Sequence, residues 1–348
     1  MSLVPAIATV SLGRASAGHS LFKKIEQAAA HSFKGVEVFY ECLEDHASTL
    51  PGGLSNTNIL LAAQQTRLLC DQHGIAVICL QPFGFFEGLE SKHARAAALE
   101  KLQFWFRLAH ALRTDLIQIP SNFLQQGASG DLDMITADLA EAARLGMNES
   151  PVIRLAYEGV SWGTHINTWE GTWEVVRKVN MPNLGLCLDT FHIAARVWGD
   201  PTAESGRRRT GDADLAATLE TMAENLDVGK IFYIQVGDAE RLASPLVRGH
   251  RFYREEQPDR MSWSRNARLF AFEHNRGAYL PVETILDVII RRLKYKGWVS
   301  LETFSYMMFE EDRAIPAQYA RRAKQSWERM LEFLGPDYGN IYTTRERL

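Results

Sequence analysis

Cysteine is scarce in this chain. Only Cys42, Cys70, Cys79 and Cys187 occur in 348 residues, and no two stand in C-x-x-C spacing. That excludes a disulfide scaffold or a paired-cysteine redox motif and leaves reduced, mostly buried thiols of a cytoplasmic protein. Long apolar runs are missing too. No stretch reaches the ~18 uninterrupted apolar residues of a membrane span, and the first residues lack a charged segment followed by an apolar one. A soluble intracellular protein with no membrane partner is expected. Charge of one sign is also lacking: 38 basic against 42 acidic residues give a net charge of −4 and a pI near 6.2. Nothing electrostatic therefore calls for nucleic acid. A small anionic substrate stays compatible, because a local arginine cluster can hold an anion on a weakly acidic protein. Low-complexity tracts and domain linkers are absent, so residues 1–348 are read as one domain.

What is present is a regular alternation. Short apolar or β-branched runs lie at Ala6–Leu12, Gly35–Phe39, Ile75–Leu80, Leu116–Pro120, Ile153–Glu158, Leu184–Asp189, Ile231–Gln235 and Trp298–Glu302. Between them lie helical stretches such as Leu21–His31, Leu60–His73, Ala94–Leu112, Met134–Leu145, Trp169–Val179, Leu215–Leu226 and Val282–Leu293, and Ala317–Leu334 follows the last run. Eight strand-then-helix units predict an α/β fold, a closed (β/α)8 barrel. Glycines at Gly35, Gly74 and Gly297 are placed to end the preceding helices. One connection is long: residues 236–280, rich in arginine and aromatics, are expected to form an ordered loop over the catalytic face.

The ends of the last four strands carry the chemistry. They read Ala-Tyr-Glu158, Cys-Leu-Asp189, Tyr-Ile-Gln235 and Ser-Leu-Glu302, an acid or amide each time at the rim where barrel active sites form. Three converging carboxylates repel, and at least one would be driven neutral without a counter-charge. A divalent cation resolves the conflict. The all-oxygen donor set suits Mg2+ or Mn2+, with Co2+ as a further candidate. His192, three residues beyond Asp189, can reach a molecule held by such a cation and act as general base.

These residues resemble the sugar-phosphate isomerase/epimerase-like superfamily, a xylose-isomerase-like TIM barrel, over nearly the whole chain. Within it they look like the 3-dehydroshikimate dehydratases of the quinate-catabolic type. The motifs are Gly-Val-Glu-Val-Phe-Tyr-Glu at 35–41, Gln-Pro-Phe at 81–83, Phe-Glu-Gly at 86–88 and Ile-Gln-Ile-Pro-Ser-Asn at 117–122. Further ones are Tyr-Glu158 with Trp162, Leu-Asp189-Thr-Phe-His192 and Ser-Leu-Glu302-Thr-Phe. The resemblance implies that Gln235 replaces the histidine ligand of the isomerases. It also implies that Ser264 and Arg268, in Ser-Arg-Asn-Ala-Arg, contact substrate. Gly84 stands where bacterial relatives carry a basic residue, and Leu-Phe-Ala-Phe-Glu at 269–273 replaces a Pro-Gly-rich segment, which leaves the substrate carboxylate to one of the loop arginines.

The implied activity is a hydro-lyase reaction converting 3-dehydroshikimate to protocatechuate through a metal-stabilised enediolate, with His192 taking the C4 proton. A sugar or hydroxypyruvate isomerase or epimerase on the same barrel is the rival enzyme, and a non-catalytic small-molecule-binding barrel the rival of another class. An abasic-DNA endonuclease is disfavoured because it needs more strand-end histidines and a basic face. A homodimer is the commonest assembly for such a protein.

Overall fold

The structure is a computed structural model and describes residues 2–339, so the outer bounds of the expected 1–348 domain fall outside it. Eight parallel strands close into a barrel: β1 Val4–Ala8, β2 Gly35–Phe39, β3 Ala76–Gln81, β4 Leu116–Pro120, β5 Arg154–Glu158, β6 Leu184–Asp189, β7 Ile231–Val236 and β8 Trp298–Leu301. Their order around the barrel is sequential, with β1 pairing β8 to close the ring. The helices are α1 Leu21–Ala30, α2 Tyr40–Ser48, α3 Asn56–Gln72, α4 Lys92–Leu112, α5 Leu132–Met147, α6 Trp169–Val179, α7 Thr190–Val197, α8 Gly211–Asn225, α9 Asp259–Ala267, α10 Val282–Leu286 and α11 Ile315–Leu334. No helix of the described residues is long and apolar enough to cross a membrane, and all four cysteines are free and buried.

The expected (β/α)8 fold is the observed one, with corrections of detail. The first strand ends at Ala8, and Thr9–Leu12 turns into a 3-10 helix instead of extending the strand. Helices α2, α7 and α9 were not distinguished in the sequence; each follows closely on a strand or sits inside the long connection. Gly74 does end α3 in the left-handed region (φ +63°). Gly35 does not: it lies in β2, where a Cβ would stand 2.6 Å from Ile78 and 2.9 Å from Trp298, and the left-handed residue after α1 is Ser32 (φ +69°). Gly297 has φ +149°, outside the helix-cap region.

Strand side chains alternate between the barrel interior and the helix layer. One interior layer is apolar: Ala6, Ile78, Cys79, Leu116, Ala156, Cys187 and Tyr233 cluster there, separate from the larger core under the helices. Two residues beyond Cys79, Leu116, Ala156, Cys187 and Tyr233 stand the polar ones, Gln81, Gln118, Glu158, Asp189 and Gln235. Serine, threonine and aspartate caps start the surrounding helices: Ser20, Ser55, Ser91, Asp131 and Thr168 each accept from a first-turn N–H. Each such cap contributes about 1 kcal/mol.

The connection between β7 and α10 is ordered and tied down along its length. Asp238–Ala239 pairs antiparallel with Arg268–Leu269. Asp238 Oδ1 accepts the backbone N–H groups of Ala239, Tyr279 and Leu280, joining the start of the connection to its end. Arg260 of α9 donates to the carbonyls of Ala195, in the last turn of α7, and Gly199 just beyond it. Glu273 accepts two bonds of 2.7 Å from Arg322 of α11. These ties hold α9 so that Ser264 and Arg268 face the C-terminal rim.

Candidate active site

The side chains singled out at the strand ends do converge, by stagger and not by level register. Glu158 is level with Cys187, Asp189 with Gln235, and Gln235 with Ser300, so Glu302 stands two residues further along β8. Strands of a closed barrel tilt against its axis, and advancing by about one residue per strand keeps the side chains at one height. Glu302 Oε1 accepts from Gln235 Nε2 at 3.0 Å, and Arg268 Nη1 donates to both Asp189 Oδ2 (2.8 Å) and Glu302 Oε2 (3.1 Å). Glu158, Asp189 and His192 offer atoms that all lie within 4.8 Å of one another, a group that could hold a metal ion.

Three further interior residues complete the cluster. Glu37 accepts from Gln81, Tyr233 and Gln235 at 2.8–3.2 Å, Gln81 also donates to Glu302 (2.9 Å), and Gln118 donates to Glu158. The sequence offered a signal for Glu37, a carboxylate inside the apolar run Gly-Val-Glu-Val-Phe, since an unpaired charge there would be costly.

Burial dominates the electrostatics. It raises the Glu37 carboxyl to about 7 and the Glu302 carboxyl to about 8, with hydrogen bonds opposing the first and Arg268 the second. Glu158 is pushed well above the carboxylate range by burial and then by Glu302 and Asp189; Asp189 is raised by burial, with Arg268 opposing. Four buried acids thus face one guanidinium. Glu158 Oε1 is buried with no hydrogen-bond partner. A cluster of oxygen donors short of positive charge fits a divalent cation. Gln235 fits on one condition: its Nε2 faces Glu37 and Glu302 while its Oε1 accepts from Cys187, so a carbonyl ligand requires the amide turned over.

His192 sits in the first turn of α7, which Asp189 starts by accepting the Phe191 N–H at 2.7 Å. Burial and Arg268 hold the imidazole well below its ordinary pKa, so it is neutral. Arg268 Nη2 lies 2.8 Å from Nε2. Guanidinium and backbone N–H both only donate, and the Ser161 N–H meets Nδ1 at 3.1 Å with Ser161 Oγ 3.3 Å away, so the one proton of the neutral ring displaces a donor from whichever nitrogen carries it. Nε2 is the ring atom that points at the acids: 3.6 Å from Asp189 and 3.9 Å from Glu158.

A cavity of about 430 Å³ opens above this cluster, within the range of small-molecule sites. Its floor includes Gln81, Gln118, Glu158, His192, Arg268 and Glu302, and Ser264 lies at its side. Phe39, Phe123, Trp162, Phe304 and Phe309 supply aromatic walls. Asp189 and Gln235 do not line it; Arg268, 1% exposed, lies over Asp189.

A family model described as the xylose isomerase-like TIM barrel matches residues 25–334. The chain belongs to that family. It is 43% identical over 336 residues to a 3-dehydroshikimate dehydratase of Neurospora crassa, covering 94% of each chain. It is 32% identical to the 3-dehydroshikimate dehydratase of Pseudomonas putida over 86% of this chain, but spans 38% of that longer protein. Among solved structures, a xylose isomerase-like TIM barrel/4-hydroxyphenylpyruvate dioxygenase fusion protein superposes with a TM-score of 0.70 at 28% identity, over 94% of this chain and 42% of that one. The sequence-based resemblance to the dehydratases thus holds over 94% of the chain.

Proposed function

We propose that this chain is a hydro-lyase that dehydrates 3-dehydroshikimate to protocatechuate. The reading is carried by one observation: a neutral imidazole nitrogen, His192 Nε2, and the Glu158–Glu302 acids face the same aromatic-walled cavity. The 43% identity to the Neurospora enzyme names the chemistry. Glu158, Asp189, Gln235 and Glu302 would hold a divalent cation, Mg2+ or Mn2+, which when bound polarises a substrate carbonyl and acidifies the adjacent carbon.

His192 Nε2 removes the proton from C4, next to the C3 carbonyl. The C4–H electron pair forms the C4–C5 double bond, the C5–O bond breaks, and the hydroxyl leaves as water once protonated. Tautomerisation of the remaining ring gives the aromatic product. For Nε2 to act, Arg268 must withdraw from it. The released fork then faces the substrate oxygen on which negative charge develops, with Ser264 positioning it through the Ser264 Oγ bond to Nε (2.9 Å). Trp162, stacked edge-on to His192 at 4.8 Å, fixes the ring and limits water around it. A cytoplasmic homodimer acting on a small anion, with no nucleic-acid partner, is the setting this reading implies.

The test is direct. Chelator-stripped protein is incubated with 3-dehydroshikimate before and after Mg2+ or Mn2+ is restored, while ultraviolet absorbance follows the aromatic product. Product is expected in the restored sample alone; ketose epimerisation without aromatic product would establish the isomerase instead.

A further inference from the structure

We propose that Arg14 and Arg265 form the seat of the substrate's carboxylate; this rests on the dehydratase reading above. The ring of such a substrate carries one negative charge that does not change during the reaction, and a site that recognises the ring must hold it. Arg268 is spent. Its Nε bonds Ser264, Nη1 bonds Asp189 and Glu302, and Nη2 meets His192.

Two other cationic side chains line the cavity: Arg14, in the turn after β1, and Arg265, on α9. The Arg14 guanidinium is fixed by its surroundings. It lies 5.9 Å from the Phe39 ring centre and 5.1 Å from that of Phe309, and Glu41 takes one terminal nitrogen. Its Nε is buried with no hydrogen-bond partner. A donor left in that state costs free energy until an acceptor arrives. Arg265 has neither ion pair nor hydrogen bond among the described residues. Both guanidiniums line the same cavity, and the acid paired with Arg14, Glu41, makes no ion pair with Arg265.

Glu41 also lines the cavity, and its charge is matched by Arg14. One unmatched cation, Arg265, remains with the open Arg14 Nε. The cavity lining thus holds two charged groups with no ion pair between them, Glu158 and Glu302 with Arg268 and His192, and Arg14 with Glu41 plus the unpaired Arg265. That division sets the substrate's orientation. A carboxylate drawn to Arg14 and Arg265 points the far side of the ring, with its carbonyl and hydroxyls, towards His192, Glu158 and Glu302.

The metal-loaded protein is titrated calorimetrically with 3,4-dihydroxybenzoate and with catechol, which differs from it only in lacking the carboxylate. The wild type is expected to favour the acid by about 30-fold, the range of a charge-assisted pair of hydrogen bonds. Arg265→Ala, at an exposed position, and Arg14→Lys, which keeps the charge but not the fork, should each reduce that preference by about 5-fold or more. In turnover with 3-dehydroshikimate the loss should appear in KM more than in kcat. Equal affinity of the wild type for the two probes, or an unchanged preference and KM in both variants, overturns the seat. A wild type that forms no aromatic product overturns the dehydratase reading instead, and leaves the calorimetric comparison to decide the seat.

Discussion

The barrel has a cavity at each mouth, and the two are alike in size but not in charge. The N-terminal one, about 460 Å³, is bordered by His110, Arg113, Asp115 and Arg154 with Phe232 and Trp298. There every charge has a partner: Arg154 holds Asp115 through two bonds of 2.8 and 2.9 Å, Arg113 meets Asp71, and His110 meets Glu149. At the C-terminal mouth, the acids outnumber the cations and a carboxylate oxygen stands unpartnered. Volume does not distinguish a working site from a dimple in the surface. Unbalanced buried charge does, because a protein maintains it only where something else supplies the balance.

The comparison can be broken most severely at His192. His192→Ala should leave metal content intact and lower kcat by about 10³-fold, the usual weight of a positioned base; near-normal turnover would remove the residue from that role. Next come the acids. Glu158→Gln and Asp189→Asn should weaken metal retention and turnover together, each by more than about 30-fold, measured as metal content after chelation and refilling. Asparagine caps a helix as well as aspartate does, so a loss in Asp189→Asn cannot be assigned to fraying of α7.

A third effect is thermodynamic. In chelator-stripped protein, burial raises the acid carboxyls, so the folded chain keeps protons that the unfolded chain releases. The associated stability is full below about 4.5 and is lost as pH rises through about 8 for Glu302. Each pH unit across that window costs about 1.4 kcal/mol per such group. Melting temperature should therefore fall from pH 5 to pH 8.5 without metal, and Glu302→Gln should flatten the slope. The smallest effect belongs to the other mouth. Arg154→Met, at a partly exposed pair, should cost less than about 1 kcal/mol, with a cost that does not vary between pH 6 and 8 and no change in turnover. A large loss of activity there would end the contrast between the two mouths.

Much of this was legible before any coordinates. The eight strands announced themselves as apolar runs, and the polar residues closing the last four converge on one cluster. What the sequence hid has physical causes. Glu37, Gln81 and Gln118 stand on strands whose neighbours are apolar, so they look like interruptions until strand alternation turns them all inward. The place of Arg268 could not be read from its motif, because forty-odd residues of connection decide how far α9 reaches over the rim, and those contacts (Asp238 with Leu280, Glu273 with Arg322) are distant in sequence. The first strand was placed too late because Thr9–Leu12 is as apolar as a strand, yet turns to let Arg14 face the cavity.

Asp189 divides its two oxygens between tasks, one starting the helix that carries His192 and the other meeting Arg268 among the acids. His192 is thereby leashed to a member of the charged cluster by three residues of chain. A lengthened side chain such as Asp189→Glu would shift both at once, because a single turn couples them.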